Sequence, residues 1–91
     1  MFSTLPQSAP VTQWVQVGSE GDTVQGKAGM TFRYGSHGGP GACGTVTQVP
    51  EAWITKTLQA DGDVVANNNY FGADPAYCIV KVLEQQTSSV Q

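Results

Sequence analysis

Short runs in which apolar and polar side chains alternate restrict the fold of this chain more than any other feature. The clearest run covers residues 29–35, where Met30, Phe32 and Tyr34 would share one face of a strand. Valine occurs eleven times and leucine three times, a preference typical of strands. Because glycine-rich turns separate such runs about every ten residues, the sequence predicts an all-β fold. We expect a small antiparallel β-sandwich, with a compact β-barrel as the alternative.

The same reading divides the chain into three parts. Residues 1–10 contain two prolines and little pattern, which predicts an extended N-terminal arm. Residues 11–84 form the single all-β domain, and residues 85–91 are expected to be a flexible tail. The last strand of the domain is predicted at 77–84. Earlier along the chain, the Asp61–Gly62 pair favours a tight hairpin turn after a strand at 52–58.

Charge and composition exclude several classes of partner. The net charge is -3, whereas nucleic-acid binders and anionic-membrane binders carry clustered Lys and Arg. No apolar run is long enough to insert into a membrane. Only 12% of the residues are charged, and Gln, Thr, Ser and Asn supply the polarity. Such uncharged hydrogen-bonding surfaces suit neutral polar ligands such as sugars.

The N-terminus has neither the basic nor the apolar region of a signal peptide. This predicts a cytoplasmic protein or one released without a classical signal. The alternative is a secreted protein from which the signal has been removed.

A glycine-rich loop carries the residues that first suggest chemistry. The stretch "RYGSHGGPGACG" (33–44) contains the only histidine, His37, and one of the two cysteines, Cys43. A Cys–His nucleophile needs a rigid pair and a third group that orients the base, and this loop offers no such support. A phosphate loop would need a lysine and a following helix, and a metal site would need more ligands. We therefore predict a surface loop over 36–51; a disulfide between Cys43 and Cys78 stays an open alternative.

Several short motifs follow one another in a recognisable order. They are Trp14, "EG" (20–21), "FRYG" (32–35), "WITKTL" (53–58) and "NNNYFGADPAYCIVKV" (67–82). This series resembles a small β-sandwich carbohydrate-binding, lectin-like module that is found attached to polysaccharide-degrading enzymes. The resemblance spans residues 14–83 and implies a role in binding carbohydrate.

The chain departs from that module at informative positions. Where the module has cysteines, this chain has Val17, Val24, Val65 and Leu83. The resemblance therefore implies that two disulfides have been replaced by apolar pairs, a change that fits a reducing compartment. The loop over 36–51 has no counterpart in the module and is interpreted as an insertion.

Sugar recognition commonly needs an aromatic ring against the C–H face of the sugar, with amides or carboxylates bonded to its hydroxyls. We expect Trp53 or Tyr70 to be the stacking platform, and loops 36–51 and 67–74 to form the rim of the site. Trp14 is expected to anchor the core instead. The candidate ligand-binding residues are Arg33, His37, Trp53, Asn67, Asn68, Asn69, Tyr70 and Asp74.

Two of these assignments have alternatives. Arg33 either donates to sugar hydroxyls or forms a structural ion pair with Glu20 or Asp74. The oxygen-rich side chains around 61–74 either bind calcium or stabilise turns, and their spacing favours turns. No cofactor is expected, with calcium as the exception.

The sequence thus predicts a non-catalytic, lectin-like protein that binds a glycan or glycoconjugate. Because single sugar sites are weak, we expect a homo-oligomer that gains affinity through multivalency. The alternative is a protein- or lipid-binding, toxin-like effector. An enzyme is not expected, since the chain has no clustered histidines and no Ser–His–Asp series.

Overall fold

The structure, a computed structural model, describes residues 11–44 and 47–89. Within these residues the chain forms six strands and one short helix. In chain order they are Val11–Ser19 (β1), Thr23–Gly26 (β2), Thr31–Ser36 (β3), Ala52–Thr57 (β4), Gly62–Val65 (β5), Asn68–Phe71 (α1) and Val82–Ser89 (β6). The predicted all-β class is confirmed. The short α1 is the single helix of the described residues, so none of them forms an apolar helix of membrane-spanning length.

The strands form two separate antiparallel sheets. The larger sheet has four strands in the order β1-β6-β3-β4, and the smaller sheet pairs β2 with β5. The two sheets do not close on each other, so the alternative of a β-barrel is wrong. A sandwich-like arrangement results, in which the smaller sheet and α1 cover one face of the larger sheet.

The core lies between the sheets and confirms the predicted alternation in β3. Phe32 and Tyr34 have exposed fractions of 1% and 0%, and Met30 packs against them. Leu83 from β6 and Val64 from β5 complete the centre. Each such side chain contributes about 1.5–3 kcal/mol when it leaves water. One apolar face per strand is therefore enough to hold the two sheets together.

The predicted hairpin at Asp61–Gly62 is wrong. β4 pairs with β3 and β5 pairs with β2, so the turn carries the chain from one sheet to the other. The carboxylate of Asp61 accepts a hydrogen bond from the backbone N–H of Ala28, 2.8 Å away, which fixes the crossing. Burial of Leu58 and Val64 in one core outweighs the local preference of the turn.

The last strand also differs from its prediction, which placed it at 77–84. The segment before Val82 is irregular because Cys78 has a φ of 72°, a left-handed conformation that strands do not tolerate. β6 then continues to Ser89 and pairs with β1 along that length. Residues 85–89, expected in the tail, thus belong to the sheet. The predicted arm at 1–10 and the end of the predicted tail lie outside the described residues.

A disulfide settles the open alternative for the two cysteines. Cys43 and Cys78 are bonded, with their Cα atoms 5.2 Å apart and a sequence separation of 35. Val49 and Ala76 pack beside the bond in a second, smaller apolar cluster. A disulfide that closes a loop of this length contributes about 2–4 kcal/mol. It ties the loop between β3 and β4 to the segment that precedes β6.

Candidate functional site

The face of the larger sheet opposite the core carries polar and aromatic side chains. We call this face the outer face and define it by Trp14, Arg33, Trp53 and Glu84. The strand register places them together: Arg33 lies opposite Glu84 on one side and opposite Thr55, two residues after Trp53, on the other. Trp14 reaches the same face from β1. The outer face therefore crosses all the strands of the larger sheet.

Arg33 occupies the centre of the outer face, between the two indole rings. Its guanidinium carbon is 4.4 Å from the centre of the Trp14 ring and 3.9 Å from the centre of the Trp53 ring. A guanidinium over an indole is attracted by the negative charge on the face of the ring. One cation thus sets the orientation of both tryptophans.

The carboxylate of Glu84 compensates the positive charge of Arg33 in this stack. The exposed fraction of Glu84 is 4%. One carboxylate oxygen accepts a hydrogen bond from Nε of Arg33 at 2.8 Å and forms an ion pair with Nη2 at 2.6 Å, and the other is hydrogen-bonded to Nε2 of His37 at 2.7 Å. Burial alone would raise the pKa of Glu84, but the bonds from His37 and Arg33, with their charges, lower it below its usual value. Glu84 is therefore held as a carboxylate.

Trp53 is fixed from its edge as well as from its face. Its indole N–H donates to the carboxylate of Glu51 at 2.9 Å, and the His37 ring meets the indole edge-on with ring centres 4.8 Å apart. Gly35 lies directly opposite Trp53, and a Cβ there would collide with the backbone carbonyl of Ala52. Glycine at 35 is thus required for the close approach that positions Trp53.

The outer face combines aromatic and uncharged polar groups around a compensated charge. The charge of Arg33 is compensated by a buried carboxylate, so the outer face presents indole rings and polar groups with little net charge. Gln16 and Thr55 are exposed around the stack. His37 and Glu51 are also accessible, with side-chain exposed fractions of 62% and 54%. Flat aromatic surface, amide and hydroxyl are the groups that neutral polar ligands require.

Three of the predicted site residues, Arg33, His37 and Trp53, come together on the outer face. The asparagine-rich segment lies on the core side of the larger sheet, where Asn67 and Asn68 have structural roles. Asn67 caps α1 by accepting from the N–H of Tyr70 at 2.7 Å, and Asn68 accepts from the Tyr34 hydroxyl at 3.0 Å. The structure therefore does not unite the predicted rim residues in one site.

The other two members of that segment are placed separately. The Tyr70 ring carries the ammonium group of Lys56 at 4.2 Å and packs against the core residue Phe71. Asn69 is exposed within α1. Because Phe71 fixes α1 on the core side of the larger sheet, neither Tyr70 nor Asn69 lies on the outer face.

The structural ion pair predicted for Arg33 exists, but its predicted partner is wrong. Glu20 and Asp74 both contact Lys81, whose Nζ lies 3.8 and 3.1 Å from their carboxylates. Lys81 is itself buried, with an exposed fraction of 4%. The ammonium group of Lys81 therefore takes the two carboxylates that we assigned to Arg33, and Arg33 pairs with Glu84 across the sheet.

The oxygen-rich side chains considered for calcium mostly bond within the protein. Asp61 and Asp74 accept from backbone N–H groups of Ala28 and Ala76, and Asp63 accepts from the Gln25 amide. Within residues 11–44 and 47–89, no three His, Cys, Asp or Glu side chains lie close enough to hold a metal ion. Asp74 thus stabilises a local turn, and Asp61 and Asp63 join segments that are distant in the sequence.

Sequence reasoning missed Trp14 and Glu84 as members of the site. Trp14 was assigned to the core, which is wrong: it is half-buried on the outer face. The signal was present, because Trp14 alternates with Val15 and Val17 and must point away from them. Glu84 had no such signal, since its role depends on pairing with a strand 51 residues earlier.

Two shallow grooves lie away from the outer face. One, of about 380 Å³, lies where the loop from β3 to β4 meets the segment before β6, and Pro50, Pro75 and Tyr77 line it. Tyr77 is 70% exposed there. The other, of about 340 Å³, lies at the end of the smaller sheet beside Lys27 and Met30. The first groove also offers an accessible aromatic ring, Tyr77, so it is the control surface against which binding at the outer face is tested.

No family model, curated protein or solved structure matches the chain. The resemblance to a lectin-like module thus stays a prediction from sequence motifs. The candidate functional site is the outer face, a charge-compensated stack of two indoles and one guanidinium on an all-β scaffold.

Proposed function

We propose that this is a non-catalytic carbohydrate-binding protein whose outer face receives the glycan. One observation carries the proposal: both tryptophans of the chain lie on the outer face, and neither lies in the core. A domain this small ordinarily gains most from an indole when the core contains it. Two large aromatic rings placed towards solvent are therefore better explained by a ligand than by folding.

The chemistry of the outer face matches that of a sugar. The C–H face of a pyranose packs against an accessible part of an indole ring. Gln16 and Thr55, each two residues after a tryptophan on the same face, supply an amide and a hydroxyl for its hydroxyls. The guanidinium of Arg33 has N–H groups beyond those bound to Glu84, which adds donors. Since Glu84 compensates its charge, a neutral ligand is favoured over an anion.

One of the two apolar pairs that would replace disulfides supports the resemblance to a carbohydrate-binding module. Val17 lies at the bulge in β1 next to Leu83 of β6, as two residues that replace a disulfide would. The other pair does not add support, because Val24 lies directly opposite Val64 and therefore points to the other face of the smaller sheet from Val65.

A glycan array with the protein presented in multivalent form tests the function. Single sites of this kind bind in the millimolar to micromolar range, about -4 to -8 kcal/mol, so clustering is needed for detection. Binding to a defined class of neutral glycan is the expected result. Failure of the wild-type protein to bind any glycan would overturn the proposal and leave the alternative of a protein-binding effector.

Two matched variants test the location of the site. Titration calorimetry on the best glycan should show that Trp14→Ala lowers the affinity about tenfold, equivalent to about 1.4 kcal/mol. Tyr77→Ala, in the loop groove, is the control and should bind as the wild type does. The opposite outcome, loss with Tyr77→Ala alone, would keep the function and move the site to the groove.

A further inference from the structure

The β1 strand forms an edge of the larger sheet that carries neither a charge nor a proline. Among the described residues, no strand pairs with the side of β1 that faces away from β6. Its nine residues, "VTQWVQVGS", include no Lys, Arg, Asp, Glu or Pro. Natural edge strands are normally short, carry a charge or a proline, or are interrupted by a bulge, because an open edge pairs with other chains. β1 is long and neutral, and its protection is limited to a bulge between Gln16 and Gly18.

The remaining edges of the described sheets show the contrast. The opposite edge of the larger sheet, β4, carries Lys56. β2 and β5 are each four residues long. Each of these edges is short or charged, so β1 stands apart from them as a long, uncharged edge.

The distal part of β1 also lacks the support of a wider sheet. β3 pairs with β6 only as far as Gln85, whereas β1 continues to pair with β6 to Ser89. Beyond Gln85 the described chain is therefore a two-stranded ribbon. Two strands alone are marginally stable in water, and a third strand is needed for independent stability. A further strand beside β1 would supply it.

The apolar side chains of β1 indicate which kind of neighbouring strand would pair with it. Val15 pairs with Gln85, which lies opposite Phe32, so Val15 points to the core side of the sheet. It is nevertheless 49% exposed, and Val17 is 36% exposed. An uncharged edge with partly exposed valines favours an apolar, uncharged neighbour, and β1 itself has that character.

We propose that β1 pairs with β1 of a second copy of this chain, antiparallel and about a two-fold axis. Residues directly opposite in an antiparallel pair point to the same face. With the axis at Val15, this residue faces Val15 of the partner subunit, and Trp14 lies opposite Gln16 of the partner subunit. The two larger sheets become one continuous sheet, and their outer faces become neighbours.

The dimer does not depend on the proposed function, since it forms without a ligand. Where the proposed function holds, dimerisation adds a consequence. Two adjacent outer faces bind a glycan with repeated units more tightly than one does, because the second contact is intramolecular.

Light scattering after size exclusion, over a range of concentrations, tests the interface. The wild type should show twice the monomer mass of 9.6 kDa. Val15→Lys would place like charges opposite each other at the axis and should raise the dimer dissociation constant at least tenfold. Val80→Lys is the control, because Val80 is 71% exposed and lies outside β1. A monomeric wild type at roughly 1 mM, or an unchanged dimer in Val15→Lys, would overturn the proposal.

Amide hydrogen exchange supplies a second readout that a misfolded variant cannot imitate. In the wild type, the β1 amides that point away from β6 should exchange more slowly as the protein concentration rises. In Val15→Lys this dependence should vanish while the amides of β3 and β6 keep their protection. A dimer in which the exchange of β1 is independent of concentration would show that its interface lies elsewhere.

Discussion

The two faces of the larger sheet use the same strands for different ends. On the core face, Phe32 and Tyr34 are buried to 1% and 0% exposure and are held by apolar contact. On the outer face, Arg33, which lies between them in the sequence, is held by a buried carboxylate and two indole rings. The comparison teaches that the core face supplies stability through burial, whereas the outer face holds aromatic rings rigid while leaving them accessible.

The largest expected difference is in the free energy of unfolding, which a substitution on the core face should lower more than one on the outer face. Phe32→Ala leaves a cavity in the core and should lower the free energy of unfolding by about 3–5 kcal/mol. Trp14→Ala, on the half-exposed outer face, should lower it by about 1 kcal/mol through the lost cation–π contact. Urea denaturation of both variants measures this. Equal losses would show that the two faces do not differ in the way described.

The next effect tests whether the outer face depends on charge. Glu84→Gln leaves the Arg33 guanidinium without its buried counter-charge, and we expect a loss of about 3 kcal/mol in the free energy of unfolding. Glu51→Gln is the control, because its carboxylate is 54% exposed and should change stability by less than about 0.5 kcal/mol. A loss below about 0.5 kcal/mol for Glu84→Gln would contradict a charge-dependent outer face.

Stability should depend on Glu84 of the outer face at acid pH and on Tyr34 of the core face at alkaline pH. The lowered pKa of Glu84 adds stability that is complete above its unfolded value of about 4.3 and is lost as the pH falls through the folded value. Burial, then Glu20 and Asp74, raise the pKa of Tyr34 from 10.0 to about 12. That contribution, about 2–3 kcal/mol, is present below pH 10.0 and is lost as the pH rises to about 12.

Two variants assign these limbs of the pH profile. Glu84→Gln should reduce the acid dependence of the unfolding midpoint and leave the alkaline limb intact. Tyr34→Phe should do the reverse, since the tyrosine hydroxyl, which bonds to Asn68, is removed. If both variants kept the wild-type profile, the titrations of these two groups would not control stability.

The smallest effect is expected for Asn67, which lies neither on the outer face nor in the groove beside Tyr77. Asn67→Ala removes the N-cap of α1 and should cost about 1 kcal/mol of stability. Because α1 lies on the core side of β4, glycan affinity should stay within error of the wild type. Thermal unfolding and calorimetry measure the two quantities. A loss of glycan binding without a loss of stability would return Asn67 to the site.

Prediction from sequence succeeded where one strand determines its own pattern. The alternation in β3 placed Phe32 and Tyr34 in the core and Arg33 on the opposite face, and both placements are confirmed. Prediction failed where two distant segments had to meet. The hairpin at Asp61–Gly62 and the partner of Arg33 were wrong because strand pairing and buried charge, rather than local preference, decide them.

The candidate site shows the same division. Trp53, Arg33 and His37 were chosen for the chemistry of their side chains, and the outer face brings them together. Tyr70, Asn67 and Asn68 were chosen on the same grounds, but they pack against Phe71, cap α1 and bond to Tyr34, respectively. Composition identifies which residues are able to bind a ligand, whereas it does not show which of them the backbone already uses.

By itself, the sequence determined the all-β class and the face of β3 on which each residue lies, because a period of two is a local property. The tertiary structure alone decided the order of the strands, the pairing of Arg33 with Glu84, and the Cys43–Cys78 bond. The last two depend on contacts between residues 35 or more positions apart, and the strand order depends on pairs up to 78 positions apart. Such contacts form only when the burial of a shared core compensates the entropy of closing long loops.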